Sequence, residues 1–434
     1  NISNAAGGAI KLNVSAIAHQ TGPTSAASAN ALLSGGIAQS AHAKSGANAT
    51  ASLTNAGSIN ISAIAKATGV GTGATPAVGT VVADATVAHA IAQTASVKSG
   101  GAAGSSASVS LSNAAGASIN ILASAVAHGG SASAEANVTS GIVQHAGAKS
   151  GHAVASLVND GTIDIGAVAH ATGDATANAM VNGGIGQAAG AGYATGYITD
   201  IQAALVPAAV TGASASALMT NNGTINIHAT AVAHNTVTGF AGAYANVTNG
   251  GTQVARATSG NATVKLTGTG SINVGALASA VADSGSAQAL ATIVNAIGQS
   301  AHATNGNAHN SFSQGSVTIH ATANAHGNAN GGGATPAASA IASVTRGIGQ
   351  TAFATATPLA ITGGTVAGVS ASNVLTNAGS ISIVAQAAAI APKITVVGSG
   401  STNHTTFPVA SASAHVGVGI QQNATAHATS TTTT

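Results

Sequence analysis

The sequence contains no cysteine and no tryptophan, and aromatic residues make up 2% of its 434 positions. Without cysteine there can be no disulfide framework and no cysteine-based metal site. With so few aromatics, an ordinary globular core of large side chains is not available. Charge is equally scarce. Charged residues amount to 4%, against roughly 25% in a typical soluble domain. The formal net charge is only +2, so disorder driven by high net charge is excluded as well. No run approaches the ~18 consecutive apolar residues of a membrane helix, so no membrane span is expected. No leader-like segment stands at Asn1, and the chain reads as a processed product or a piece of something longer.

What is abundant is alanine, glycine, serine, threonine, asparagine and valine, arranged in a repeat. One anchor reads Asn-x-Gly-x-Ile-x-Ile and is clearest at Asn55-Ala56-Gly57-Ser58-Ile59-Asn60-Ile61 and Asn159-Asp160-Gly161-Thr162-Ile163-Asp164-Ile165. It returns around Gly223, Ile225 and Ile227 and at Asn377 to Ile383, with looser copies at Ile10, Ile119, Ile272 and Val317. Counting Ile381, that makes eight. A second anchor, Gly/Ala-Ile-x-Gln, ends at Gln39, Gln93, Gln144, Gln187, Gln299, Gln350 and Gln422, with a degraded copy at Gln253. The two anchors alternate strictly. First anchors are 49, 60, 44, 62, 47, 45 and 64 residues apart. The unit is therefore about 44 residues with insertions, repeated eight times over one domain spanning residues 1–434. All seven prolines fall outside the anchor strands, which assigns them to corner loops.

Between turns the period is two. Ile59, Ile61, Ala63, Ala65 and Ala67 alternate with Asn60, Ser62, Ile64, Lys66 and Thr68. Such alternation places the two sets on opposite faces of a strand. Alanine favours helix intrinsically, but no 3.6-residue stripe survives among so many Gly, Ser, Thr and Asn. One clean copy has turn signals at Gly129-Gly130, Ser150-Gly151 and Asn159-Asp160-Gly161, where glycine is expected to supply positive φ. They enclose segments that suggest a flattened coil, one long wall facing two shorter ones. The fold class is thus all-β, a parallel β-solenoid with an alanine-lined core. Its formers are the anchor Ile, the turn Gly and the recurrent Gln.

The outward positions include Ile17, Ile64, Val126, Val168, Val232 and Val281. Exposed apolar rows mark contact surfaces, and these six are the candidates for lateral contact. A solenoid without polar caps offers open sheet edges, which favours head-to-tail association of the chain with itself.

The Leu-x-Asn-x-Gly-x-Ile-x-Ile pattern, at Leu53 to Ile61 and Leu157 to Ile165, resembles the repeats of large secreted bacterial β-solenoid proteins, including haemagglutinin-type and autotransporter passengers. The resemblance implies a right-handed parallel β-solenoid, an extracellular or cell-surface location, and adhesive or structural roles.

Chemistry-bearing residues are few. Of seven carboxylates only Asp160 and Asp164 are close in sequence, and they read as solvated surface groups. His19, His128, His234 and His326 share one outward site nine residues after the anchor, with His170 a near match. A metal column is weighed there against tolerated surface residues, and the latter is preferred because Thr68 and Ser279 interrupt it. Lysines are too sparse for a nucleic-acid groove. No catalytic residue, metal or cofactor is expected. The sequence reads as a secreted structural subunit whose main partner is itself. The alternative is an adhesin segment binding a surface, a glycan or other matrix components through proline-containing corner loops.

Overall fold

The computed structural model describes residues 1–21, 26–44, 47–69, 79–98, 105–149, 151–192, 212–329, 337–356, 368–391, 394–396, 404–406 and 409–428. All seven prolines and Ser150 lie outside them. The chain is all-β, and parallel strands of equivalent sequence stack on one another as the repeat demands. One eight-stranded sheet, six of whose strands end in asparagine, runs from Ile2–Asn4 through Ala49–Asn55 and Ser105–Asn113 to Ala371–Asn377. The isoleucine and glutamine strands belong to a second, larger sheet.

Register follows the anchors. Ile10 pairs with Ile59, Ile59 with Ile119, and Ile119 with Ile163. The series continues through Ile225, Ile272 and Val317 to Ile381. In each layer the chain runs through an isoleucine strand such as Ser58–Thr68, then a wall in two parts such as Thr80–Val87 and Ile91–Lys98, then an asparagine strand. The first part of that wall packs on the isoleucine strand and the second on the asparagine strand. One long wall therefore faces two shorter ones.

The interior has three zones. In the centre, three columns of larger side chains meet: the anchor pairs such as Ile163 and Ile165, the Leu of the asparagine strands such as Leu157, and the Ile before each Gln, such as Ile142. Phe312 is fully buried there, in register with Leu266 and Leu375. To one side lies a thin wing in which Ala63, Ala65 and Ala67 share a core with Ala83 and Ala85. To the other lies a second wing of Ala and Val, including Ala95, Val97, Ala107 and Val109. Large side chains are tolerated in the centre, whereas among the described residues the second wing is lined by Ala and Val alone. Each methyl contributes little at about 25 cal/mol per Å², so the ladder hydrogen bonds between layers carry much of the stability.

Two turn expectations are corrected. Gly129-Gly130 is not a separate turn. A single strand, Ser118–Val138, passes through it with a register break between His128 and Ser131. Pairing to the neighbouring layers resumes on both sides, so the corner interrupts the ladder for two residues only. Nor do Gly57, Gly161 and Gly223 supply positive φ. They sit where the turns of successive layers nearly touch. A Cβ on Gly57 would lie 2.1 Å from the Gly8 carbonyl oxygen, and one on Gly223 1.9 Å from that of Gly161. Close stacking explains these glycines, whereas the left-handed backbone falls at Gly7 and Gly116.

Candidate functional site

The residues that the fold brings together most distinctively are the side-chain amides. Gln39, Gln93, Gln144, Gln187, Gln253, Gln299, Gln350 and Gln422 are register partners in successive layers. They stand between the central core and the second wing. Gln93 Nε2 donates to Gln39 Oε1 and to the Ser110 carbonyl, both at 2.8 Å. Gln144 Nε2 donates to Gln93 Oε1 and the Ser156 carbonyl, again at 2.8 Å. The same donation to the preceding layer continues from Gln187, Gln253, Gln299, Gln350 and Gln422. Each interior amide uses both N–H groups and its oxygen, which is why glutamine is tolerated at full burial. One N–H binds layer to layer and the other binds wall to wall. The degraded anchor at Gln253 keeps its place in the ladder. Its isoleucine is replaced by Gly251, leaving an apolar cavity of about 20 Å³ beside Ile227, Leu266 and Ile297.

A second ladder, read from sequence only as a turn signal, runs the opposite way. Asn4 Nδ2 donates to Asn55 Oδ1 at 2.7 Å, and Asn55 to Asn113, Asn113 to Asn159 and Asn159 to Asn221 at 2.8 Å. Here each amide donates to the following layer. The next layer has Gly268 in that place, and Asn221 reaches past it to Gln314 Oε1 at 3.3 Å. The extra methylene of Gln314 closes the gap.

Ile17, Ile64, Val126, Val168, Val232 and Val281 all face outward. Ile17 is 76% exposed and the others half-buried. They do not form one row. Ile17, Val126 and Val232 share a column with Lys66 and His170 between them. Ile64 and Val168 share the adjacent column, in the order Ser15, Ile64, Ser124, Val168, Thr230, Leu277, Thr322, Gln386. Val281 stands in the histidine column, which reads His19, Thr68, His128, Thr172, His234, Val281, His326, Ile390. Histidine recurs there in every second layer, and His170 and Ser279, the latter expected to interrupt this column, both belong to the neighbouring one. Stacked histidines two layers apart, about 9.6 Å, are too distant to share a metal ion. Among the described residues no group of three or more His, Asp or Glu could hold one.

Asp160 is exposed and accepts a hydrogen bond from Asn222, while Asp164 Oδ1 lies 3.4 Å from His228 Nδ1. The structure instead juxtaposes Asp84 and Glu135, register partners in adjacent layers of the outer long wall. Partial burial raises the Asp84 carboxyl above its ordinary value. His145 and His320 are held below the usual imidazole range by burial, and so is His302, by burial and then by the Arg256 charge. His320 covers Gly275, where an added Cβ would meet its ring at 2.8 Å. His302 stacks on Phe353 with centroids 5.0 Å apart and planes 7° from parallel. Among the described residues no helix is long and apolar enough to cross a membrane.

No protein-family model, no curated protein and no solved structure matches the chain.

Proposed function

We propose that the chain is a structural subunit of a secreted extracellular filament or matrix fibre, assembled by end-to-end stacking of β-solenoids. The observation that carries this reading is the direction of the glutamine ladder. At one axial face, Gln39 has one side-chain N–H on the Ser52 carbonyl and a second N–H to give. At the other, Gln422 donates to Gln350 and presents its own oxygen. A second copy set on this face in register continues the donation from Gln39 to Gln422. The inward residues of the first and last layers, such as Ala16 and Ala387, are half-exposed, whereas their equivalents Ala65 and Ala278 are fully buried. A further layer would cover them and pair the open strand edges. The working residues are the layer formers, with no catalytic role assigned to any side chain. The repeat's resemblance to secreted bacterial haemagglutinin-type and autotransporter passengers supports the extracellular location and the right-handed coil.

The stack of His302 on Phe353 favours a second reading, an adhesive passenger. The half-buried ring pair offers an apolar patch of the kind that packs against a sugar. Negative-stain microscopy separates the two. Long uniform fibres from the purified chain support the filament, and short rods that bind glycan or cell surfaces support the adhesin.

A further inference from the structure

The interior repeats every layer, but the outer face of the isoleucine wall repeats every two. In the column from Ser15 to Gln386, small hydroxyl residues occupy the odd layers, as at Ser124, Thr230 and Thr322. Branched apolar residues occupy the even ones at Ile64, Val168 and Leu277. The neighbouring column carries its apolar residues in the opposite phase, at Val126 and Val232. Nothing inside the solenoid calls for this, since alanine recurs behind the wall in successive layers, with Val14 of the first layer the exception. A two-layer pattern of large and small groups is what a surface needs to meet another with the same pattern, displaced by one layer.

We propose that this wall pairs face to face with a second copy of the chain, the two rods antiparallel about a two-fold axis between the Val168 and Thr230 layers. An axis so placed brings each odd layer against an even one. Val168 then faces the partner subunit's Thr230, Leu277 faces the partner subunit's Ser124, and Ile64 faces the partner subunit's Thr322. Each contact sets a large apolar group over a small one, in the self-complementary manner of an isologous interface. The wall is large enough. Eight layers at about 4.8 Å and four outward columns at about 6.7 Å give on the order of 1,000 Å² per copy, and a stable dimer buries roughly 800 Å² per partner. With four charged residues in a hundred, little on this surface opposes contact. The pairing is independent of end-to-end stacking, because it uses the wall and not the axial faces.

The absence of cysteine permits a direct test. The double variant Ile64→Cys/Thr322→Cys carries the only two thiols and is treated with a bis-maleimide of two-carbon spacer. Within one chain these positions are about 24 Å apart, and between end-to-end neighbours about 14 Å. Both separations exceed the spacer, so the reaction reads lateral pairing alone. The expected result is efficient covalent dimer from the double variant and little from either single variant. Sedimentation equilibrium of Val168→Lys should show the dimer weakened at least tenfold, with unchanged circular dichroism. Cross-linking of the double variant no greater than that of the single variants overturns the proposal, as does undiminished dimerisation of Val168→Lys.

Discussion

Gln144 donates its side-chain amide to Gln93 at 2.8 Å, one layer back toward the start of the chain. The same amide bonds the Ser156 carbonyl of the facing wall and accepts from Gln187. Replacing Gln144 by Leu removes three hydrogen bonds and leaves Gln93 Oε1, the Ser156 carbonyl and one Gln187 N–H without their partner. At about 1–3 kcal/mol per orphaned buried group, a loss of about 3 kcal/mol or more is expected in chemical denaturation. Gln144→Glu should be sensitive to pH. A protonated carboxyl can donate one of the two bonds, so the variant is most stable in acid and loses stability as pH rises through its elevated folded-state value.

Gly161 and Gly251 occupy contrasting environments. A Cβ at Gly161 would fall 2.3 Å from the Ala117 carbonyl oxygen, against backbone that cannot yield. A Cβ at Gly251 meets nothing within 4 Å. Gly161→Ala is expected to destabilise by about 1–3 kcal/mol, in the range of overpacking. Gly251→Val should raise the melting temperature by filling the cavity beside Leu266. Thermal denaturation of the pair gives opposite signs if the layer geometry is as described.

Ala125 tests the thin wing. It is fully buried and in register with Ala65 and Ala169. Ala125→Phe forces the walls apart and is expected to cost about 3 kcal/mol, the upper end of overpacking, or to prevent folding. Ser133→Phe, on the same strand but facing outward from the opposite wall, should leave β content and melting temperature nearly unchanged. Equal effects would contradict the inward–outward assignment.

Asp84 predicts a response to pH. Burial raises the Asp84 carboxyl, so the folded state favours its protonated form. The associated stability is present below the ordinary carboxylate value near 3.8 and is lost as pH rises through the folded-state value. Asp84→Asn should therefore stabilise at pH 7 by a few tenths of a kcal/mol, the scale of a cross-strand charge pair. The gain should vanish near pH 3, which melting curves at the two pH values would show.

The anchors were legible because a layered fold stacks like on like. Ile59 over Ile10 and Gln93 over Gln39 follow from aligning the repeat, and the outward placement of Ile64 and Val126 from alternation. Other features are invisible to that alignment. Asn55 and Asn113 look like turn formers until stacking shows their amides bonded to each other. The Asp84–Glu135 contact lies between distant segments and depends wholly on register. That Ile64 and Val126 stand in different columns is hidden because the anchors repeat every layer, whereas the face that carries them repeats every two. Gly161 reads from sequence as a positive-φ turn residue, the common reason for glycine in a turn, whereas the carbonyl of the neighbouring layer is the constraint.

The account turns on whether one subunit's last layer accepts another's first. Cryo-electron microscopy of the purified chain at neutral pH measures this directly. Continuous fibres are expected, with layer spacing of about 4.8 Å running unbroken across subunit boundaries. Discrete rods of roughly 38 Å, the height of eight layers, that stay separate at high concentration would contradict it.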